Sequence, residues 1–151
     1  MTISDSKWED VKKSMDDTKL TFNTGDLDSA LSKAKKITSE IANISLKIDF
    51  SDNRQNAKLL DVATYVATQL DNVANSIGDE NIRYSIIECR NSLAETVRPI
   101  VIRYIDKALA LYRYATIIIE SGDNIEVPMD VYNNASEMQE TIKLLRNYWA
   151  A

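Results

Sequence analysis

Apolar residues recur along this chain every three or four positions, with interruptions only at a few turn-forming sites. Trp8, Val11, Met15, Thr18 and Phe22 form one such seam, which predicts a first helix starting near Ser4 to Ser6 and ending at Gly25. Leu27, Leu31, Ala34, Ile37, Ile41, Ile44 and Ile48 predict a second helix, capped by Asp26 or Asp28, with Ser32, Lys35, Lys36 and Ser39 on its solvated face. Asp49-Phe50-Ser51-Asp52 reads as a tight connection. Ser51 or Asp52 then caps a third helix through Leu59, Ala63, Val66, Leu70, Val73 and Ile77, and the short turn predicts antiparallel packing.

Asp79 opens a fourth helix of roughly 80–97, with Ile82, Ile86, Cys89, Leu93 and Val97 inward. Pro99 has no amide to donate and its ring crowds the carbonyl four residues back, so a kink or break is expected near Thr96 to Arg98. A fifth helix of roughly 98–120 follows. At about 100° per residue, Val101, Tyr104, Ile105, Ala108, Leu109, Leu111, Tyr112, Ala115, Ile118 and Ile119 fill about half its circumference, which marks it as the central helix of a bundle. Ile117-Ile118-Ile119 has the β-branched composition of a strand, but it continues the helical period. Pro128 suits the first turn of a last helix with Tyr132, Ala135, Met138, Ile142, Leu145 and Trp149 on its apolar face; Ser136 to Gln139 forms a capping-box pattern that starts it later.

The chain has three glycines, and each precedes an aspartate: Gly25-Asp26, Gly78-Asp79 and Gly122-Asp123. Glycine takes the left-handed conformation that closes a helix, and the aspartate caps the next one. Glycines this far apart build no Gly-rich phosphate loop. The prediction is an all-α, left-handed antiparallel bundle: a four-helix core, one or two accessory helices, about six helices in all, forming a single domain over 1–151.

Composition narrows the chemistry. The formal charge of -5 argues against nucleic acid and anionic membrane as partners. Histidine is absent, so the usual zinc ligand and the base of a Ser-His-Asp triad are missing, and no metal site or catalytic residue is expected. Cys89 is the single cysteine. It reads as a small buried apolar residue, and a reducing, cytoplasmic setting fits it. The N-terminus lacks the basic and apolar regions of a signal peptide, and no apolar run approaches the roughly 20 residues that span a bilayer.

The fifth helix carries the strongest candidate for binding. Arg103, Asp106 and Lys107 share a face, where they form either a solvated strip with one internal ion pair or the wall of a site for a phosphate or carboxylate; Arg113 extends the edge. Seven tyrosines are spread over the chain, several expected at the border of core and solvent. Asp16 with Asp17, and Glu137 with Glu140, fall on polar faces with no sign of burial, so general acid or base work has no support.

Two short motifs resemble the cobalamin adenosyltransferase family. Arg103-Tyr104-Ile105-Asp106-Lys107 matches the first, fourth and fifth positions of that family's Arg-Arg-Ala-Glu-Arg motif in charge. Asn133-Asn134-Ala135-Ser136-Glu137 keeps the asparagine, the serine and an acid of its Asn-Arg-Leu-Ser-Asp motif. The chain is also similar to a small group of archaeal helical proteins of the same fold. The resemblance implies a ferritin-like bundle, a homo-oligomer, and ATP with Mg and a corrinoid as ligands. It assigns Arg103, Asp106, Lys107, Asn133, Ser136 and Glu137 to that site. The chain departs from the family at its phosphate loop, where Thr24-Gly25-Asp26 is the only echo and Leu27-Asp28 stands in place of an acid and a glycine, and in carrying Tyr104 and Asn134 where arginines stand. The residues themselves point to a non-catalytic, self-associating binding protein that needs no cofactor, with an unidentified protein partner or a small anionic ligand. The alternative that the resemblance implies is an ATP/corrinoid-binding, adenosyltransferase-like enzyme.

Overall fold

Helix caps account for where the elements begin. The structure is a computed structural model describing residues 3–49, 52–120 and Trp149; the side chains of 53, 105, 107–109, 111, 112 and 114–120 lie outside that description. Among the described residues there are four helices and no strand: α1 (Asp5–Asn23), α2 (Leu27–Lys47), α3 (Asn53–Ser76) and α4 (Glu80–Glu120). The chain divides into two compact units, Met1–Ile100 and Val101–Ala151, described here in turn.

In the first unit each helix start is closed by a side-chain oxygen that accepts from free amides of the first turn. Ser4 accepts from the Lys7 amide at 3.4 Å, Asp26 from Ser29 at 3.4 Å, Asp52 from Arg54 and Gln55 at 3.0 and 3.3 Å, and Asp79 from Asn81 and Ile82 at 2.9 and 3.2 Å. Helix ends use two devices where the sequence pattern predicts one. Gly25 takes a φ of 88° and its amide donates to Phe22 O at 3.2 Å, as a left-handed glycine stop should. Gly78 does not enter the left-handed region. The carbonyls ending α3 are held by Arg83 instead: its Nε donates to Ala74 O at 3.1 Å and its Nη2 to Ile77 O at 2.7 Å. A guanidinium fork serves two acceptors at once, which leaves the glycine's special geometry unneeded.

The core follows the predicted seams closely. Trp8, Val11, Met15, Thr18 and Phe22 are all buried on α1. Thr18 satisfies its hydroxyl by donating to Ser14 O at 2.7 Å. On α2 the inward face is rotated slightly from the prediction: Ala30, Ala34, Ile37, Ile41 and Ile44 are buried, whereas Leu27 and Leu31 flank the seam half-buried. The small Ala30 and Ala34 side chains turn inward, and the leucines cover the edge. Ser32, Lys35, Lys36 and Ser39 are exposed, as expected. The widest buried arc among the described side chains belongs to α3, where Leu59, Leu60, Val62, Ala63, Val66, Ala67, Leu70, Val73 and Ala74 are covered. The predicted central-helix role of 98–120 rests mostly on side chains outside the description.

Polar pairs fix which helices meet. Between α1 and α2, Lys7 pairs with Glu40 and Lys33 with Asp17 at 3.0 Å, so one index falls as the other rises and the helices run antiparallel. Between α1 and α3 the indices rise together: Asp5 with Lys58 (3.7 Å), Lys12 with Asp61 (2.8 Å), Asp16 with Tyr65, and Lys19 with Gln69 (3.0 Å). Helices α1 and α3 are therefore parallel neighbours, while α2 and α3 touch only sparsely. A short turn does reverse the chain between α2 and α3, but the turn delivers α3 to α1 rather than to α2. The sequence-based expectation of antiparallel packing from that turn holds for direction only. The part of α4 in the first unit starts antiparallel to α3, with Arg83 on Ala74 and Ile77 and Arg90 Nε 3.4 Å from Asp71, and it buries Ile86, Cys89, Leu93, Ala94, Val97 and Ile100.

Helix α4 continues through Pro99, so the expected fourth and fifth helices are one. Pro99 and Glu95 both lie on the exposed side. Water on that exposed face can hydrate the Glu95 carbonyl that proline leaves without its usual donor. The apolar stripe stays in step across the proline, from Leu93 and Val97 to Ile100 and Val101. Burial of those side chains offsets a helix-interior proline, which costs about 3 kcal/mol.

The second unit contains the C-terminal part of α4. Val101 and Tyr104 are buried there, whereas Ile102, Arg103, Asp106, Ala110 and Arg113 are exposed; Trp149 is helical and buried. The expected last helix from 128, its capping box and the Gly122 stop fall outside the described residues, Trp149 apart. Among the described residues no helix is long and apolar enough to cross a membrane.

Candidate functional site

Two surfaces bring charged side chains together. The first is the predicted edge of α4. Arg103 and Asp106 stand three residues apart on one exposed helix face, with Arg113 exposed farther along. The Lys107 side chain lies outside the described residues, as do Asn133, Ser136 and Glu137. The structure thus joins two of the six predicted site residues.

The second surface was not singled out from sequence. A groove of about 440 Å³ runs between α1 and α2, lined among others by Lys13, Asp17, Lys33, Lys36, Ile37 and Glu40. Lys33 Nζ reaches both Asp17 Oδ2 and Thr21 Oγ1 at 3.0 Å. Glu40 is held by Lys7 from the other end. The α2 periodicity marks Lys36 as solvated, and so it is; only the register of α2 on α1 places it beside Lys13. No pattern within one helix carries that register. A smaller recess of about 340 Å³, lined by Ile3, Ser4, Asp5, Asp52, Arg54 and Gln55, sits where α1 and α3 begin.

Among the described residues the other groups with shifted pKa values lie in helix–helix contacts or in the core. Tyr65 donates to Asp16, and this bond, reinforced by burial, pushes its phenol above the usual value. Lys12 lies 5.8 Å from the Tyr65 ring centre and is pushed up chiefly by its hydrogen bond to Asp61. Lys7 is raised in the same way by Glu40. Burial raises Tyr104, and burial foremost raises Cys89, against a partial opposing effect from the Lys35 charge. These groups are all held in their protonated forms, so neither a tyrosinate nor a thiolate is available as a nucleophile near neutral pH. Among the described residues no three His, Cys, Asp or Glu side chains are grouped to hold a metal ion.

No protein-family profile, curated protein or solved structure matches this chain. The likeness to cobalamin adenosyltransferases therefore rests on the two short motifs alone, and functional argument rests on the side chains.

The upward shifts have a measurable consequence. A group whose pKa is raised by folding stabilises the fold below its unfolded value and loses that contribution as pH rises through the folded value. For Cys89, Tyr65, Tyr104, Lys7 and Lys12 the loss begins above about pH 9, where the first unfolded value lies. Urea midpoints are expected to be level between pH 7 and 8.5 and to fall by pH 10.5. A midpoint that climbs over that interval contradicts the assignment.

Proposed function

We propose that this chain is a non-catalytic binding protein that presents the charged edge of α4 to an acidic partner surface. The observation that supports it is the exposure of Arg103 and Arg113 on one helix, with Asp106 the exposed acid between them and Ile102 an exposed apolar neighbour, in a chain whose net charge is -5. A basic edge on an acidic protein steers and orients a partner by charge. The test compares proteins retained by the immobilised chain with those retained by an Arg103→Glu, Arg113→Glu double variant. The reading expects a salt-sensitive partner that the variant loses, and an unchanged set refutes it.

A second reading is favoured by one placement: Arg103 and Asp106 occupy the first and fourth positions of the adenosyltransferase-like motif and are solvent-accessible together. There Arg103 would neutralise triphosphate charge and Asp106 would orient it. Calorimetry with MgATP separates the two. The nucleotide reading expects millimolar or tighter binding that Arg103→Ala weakens at least fivefold, and the absence of heat at millimolar MgATP removes it.

A further inference from the structure

We propose that the middle of the α1–α2 groove binds the phosphate group of a small phosphorylated molecule. Lys7–Glu40 and Asp17–Lys33 form opposite-charge rungs across the seam. Lys13 and Lys36 lie between those rungs in the same register, one on each helix, and both line the groove. That rung joins like charges. Among the described residues neither lysine has a hydrogen-bond or ion-pair partner, and the two carboxylates that line the groove are engaged elsewhere: Asp17 by Lys33, and Glu40 by Lys7. Two ammonium groups thus face one recess without a counter-charge of their own. An anion placed between them replaces repulsion with two attractions.

The donor type selects the anion. Lysine is a compact point charge with three rotatable donors and suits a tetrahedral oxyanion, whereas planar carboxylates are best matched by the arginine fork. Ser14 lines the same groove and adds a hydroxyl-bearing side chain to it. The volume, about 440 Å³, is far more than a bare phosphate fills, and Ile37 gives the groove an apolar wall. A phosphate ester with a small organic body uses both features. This site lies in the first unit and does not depend on the proposed role of the α4 edge.

The experiment follows backbone amides by NMR while inorganic phosphate or glycerol 3-phosphate is added at constant ionic strength. Saturable shifts are expected at Lys13, Ser14, Lys36 and Ile37, with the ester binding several-fold more tightly than inorganic phosphate. Lys13→Gln and Lys36→Gln, both at exposed positions, should each weaken binding at least fivefold while leaving the far-ultraviolet circular dichroism unchanged. Arg103→Ala should leave the affinity as it was. Affinity should rise several-fold from pH 5.5 to 7.5, because the phosphate loses its second proton near pH 6 and gains charge. Equal affinity for the two probes assigns the groove to free phosphate and overturns the ester. Shifts that sodium chloride reproduces, or that persist undiminished in both lysine variants, overturn the site itself.

Discussion

Trp8→Ala is expected to cost about 3–5 kcal/mol, a fifth or more of the roughly 5–15 kcal/mol that a domain of this kind has to lose. Trp8 is 2% exposed on α1, the helix that meets both α2 and α3, so the void it leaves borders several elements that cannot all collapse into it. Trp8→Phe is the informative partner. The indole Nε1 is buried without a hydrogen-bond partner, and an unsatisfied buried donor costs about 1–3 kcal/mol. Phenylalanine removes that cost while leaving a smaller void, so the two effects nearly cancel and the variant should lie within about 1 kcal/mol of the parent. Urea denaturation followed by circular dichroism measures both. A Phe variant as unstable as the Ala variant would show that the indole N–H is satisfied after all. Trp8→Phe also leaves Trp149 as the single tryptophan, and its fluorescence then reports on the second unit separately.

Overpacking the middle of α3 should be nearly as damaging. Ala63 has no exposed surface and sits among Leu59, Leu60, Val62, Val66 and Ala67 on the most enclosed helix described. Ala63→Leu inserts three carbons where no space is free, and such insertions cost about 1–3 kcal/mol through displaced rotamers and backbone. Ala57→Leu makes the same chemical change on an exposed position of the same helix and should move stability by about 0.5 kcal/mol or less. A difference between the two variants of less than about 0.5 kcal/mol would mean that α3 is not enclosed at that point.

Both effects depend on a close-packed bundle whose polar residues serve its geometry. The interhelical ion pairs are partly exposed, and such pairs contribute about 0.2–1 kcal/mol each. Their larger role is selective. Lys12 with Asp61 and Tyr65 with Asp16 favour α3 beside α1, and Lys33 with Asp17 favours the register of α2 that leaves Lys13 and Lys36 opposed.

Much of the architecture was legible in the order of residues. The α1 seam, the exposed face of α2 and the aspartate caps at 26, 52 and 79 follow from a 3.6-residue period and from amides that need an acceptor, and both are local facts. Burial of Cys89 was legible for the same reason: it falls on the stripe with Ile86 and Leu93. The candidate edge of α4 was legible in part, since the spacing of Arg103 and Asp106 already put them on one face. As to a break, Pro99 misled because the rule against proline weighs one lost hydrogen bond, whereas the outcome depends on whether the proline lies on an exposed face and on what is buried to either side. Gly78 misled because a nearby arginine took over the carbonyls that a left-handed glycine would have served. Sequence by itself determined where helices form and which face of each is apolar, because those depend on neighbours within a turn. Only the tertiary structure decided that α1 contacts both α2 and α3, and that Lys13 and Lys36 line one groove. Pairing between helices is set by contacts among residues some 15 to 50 positions apart, and the periodicity of a single helix carries no trace of them.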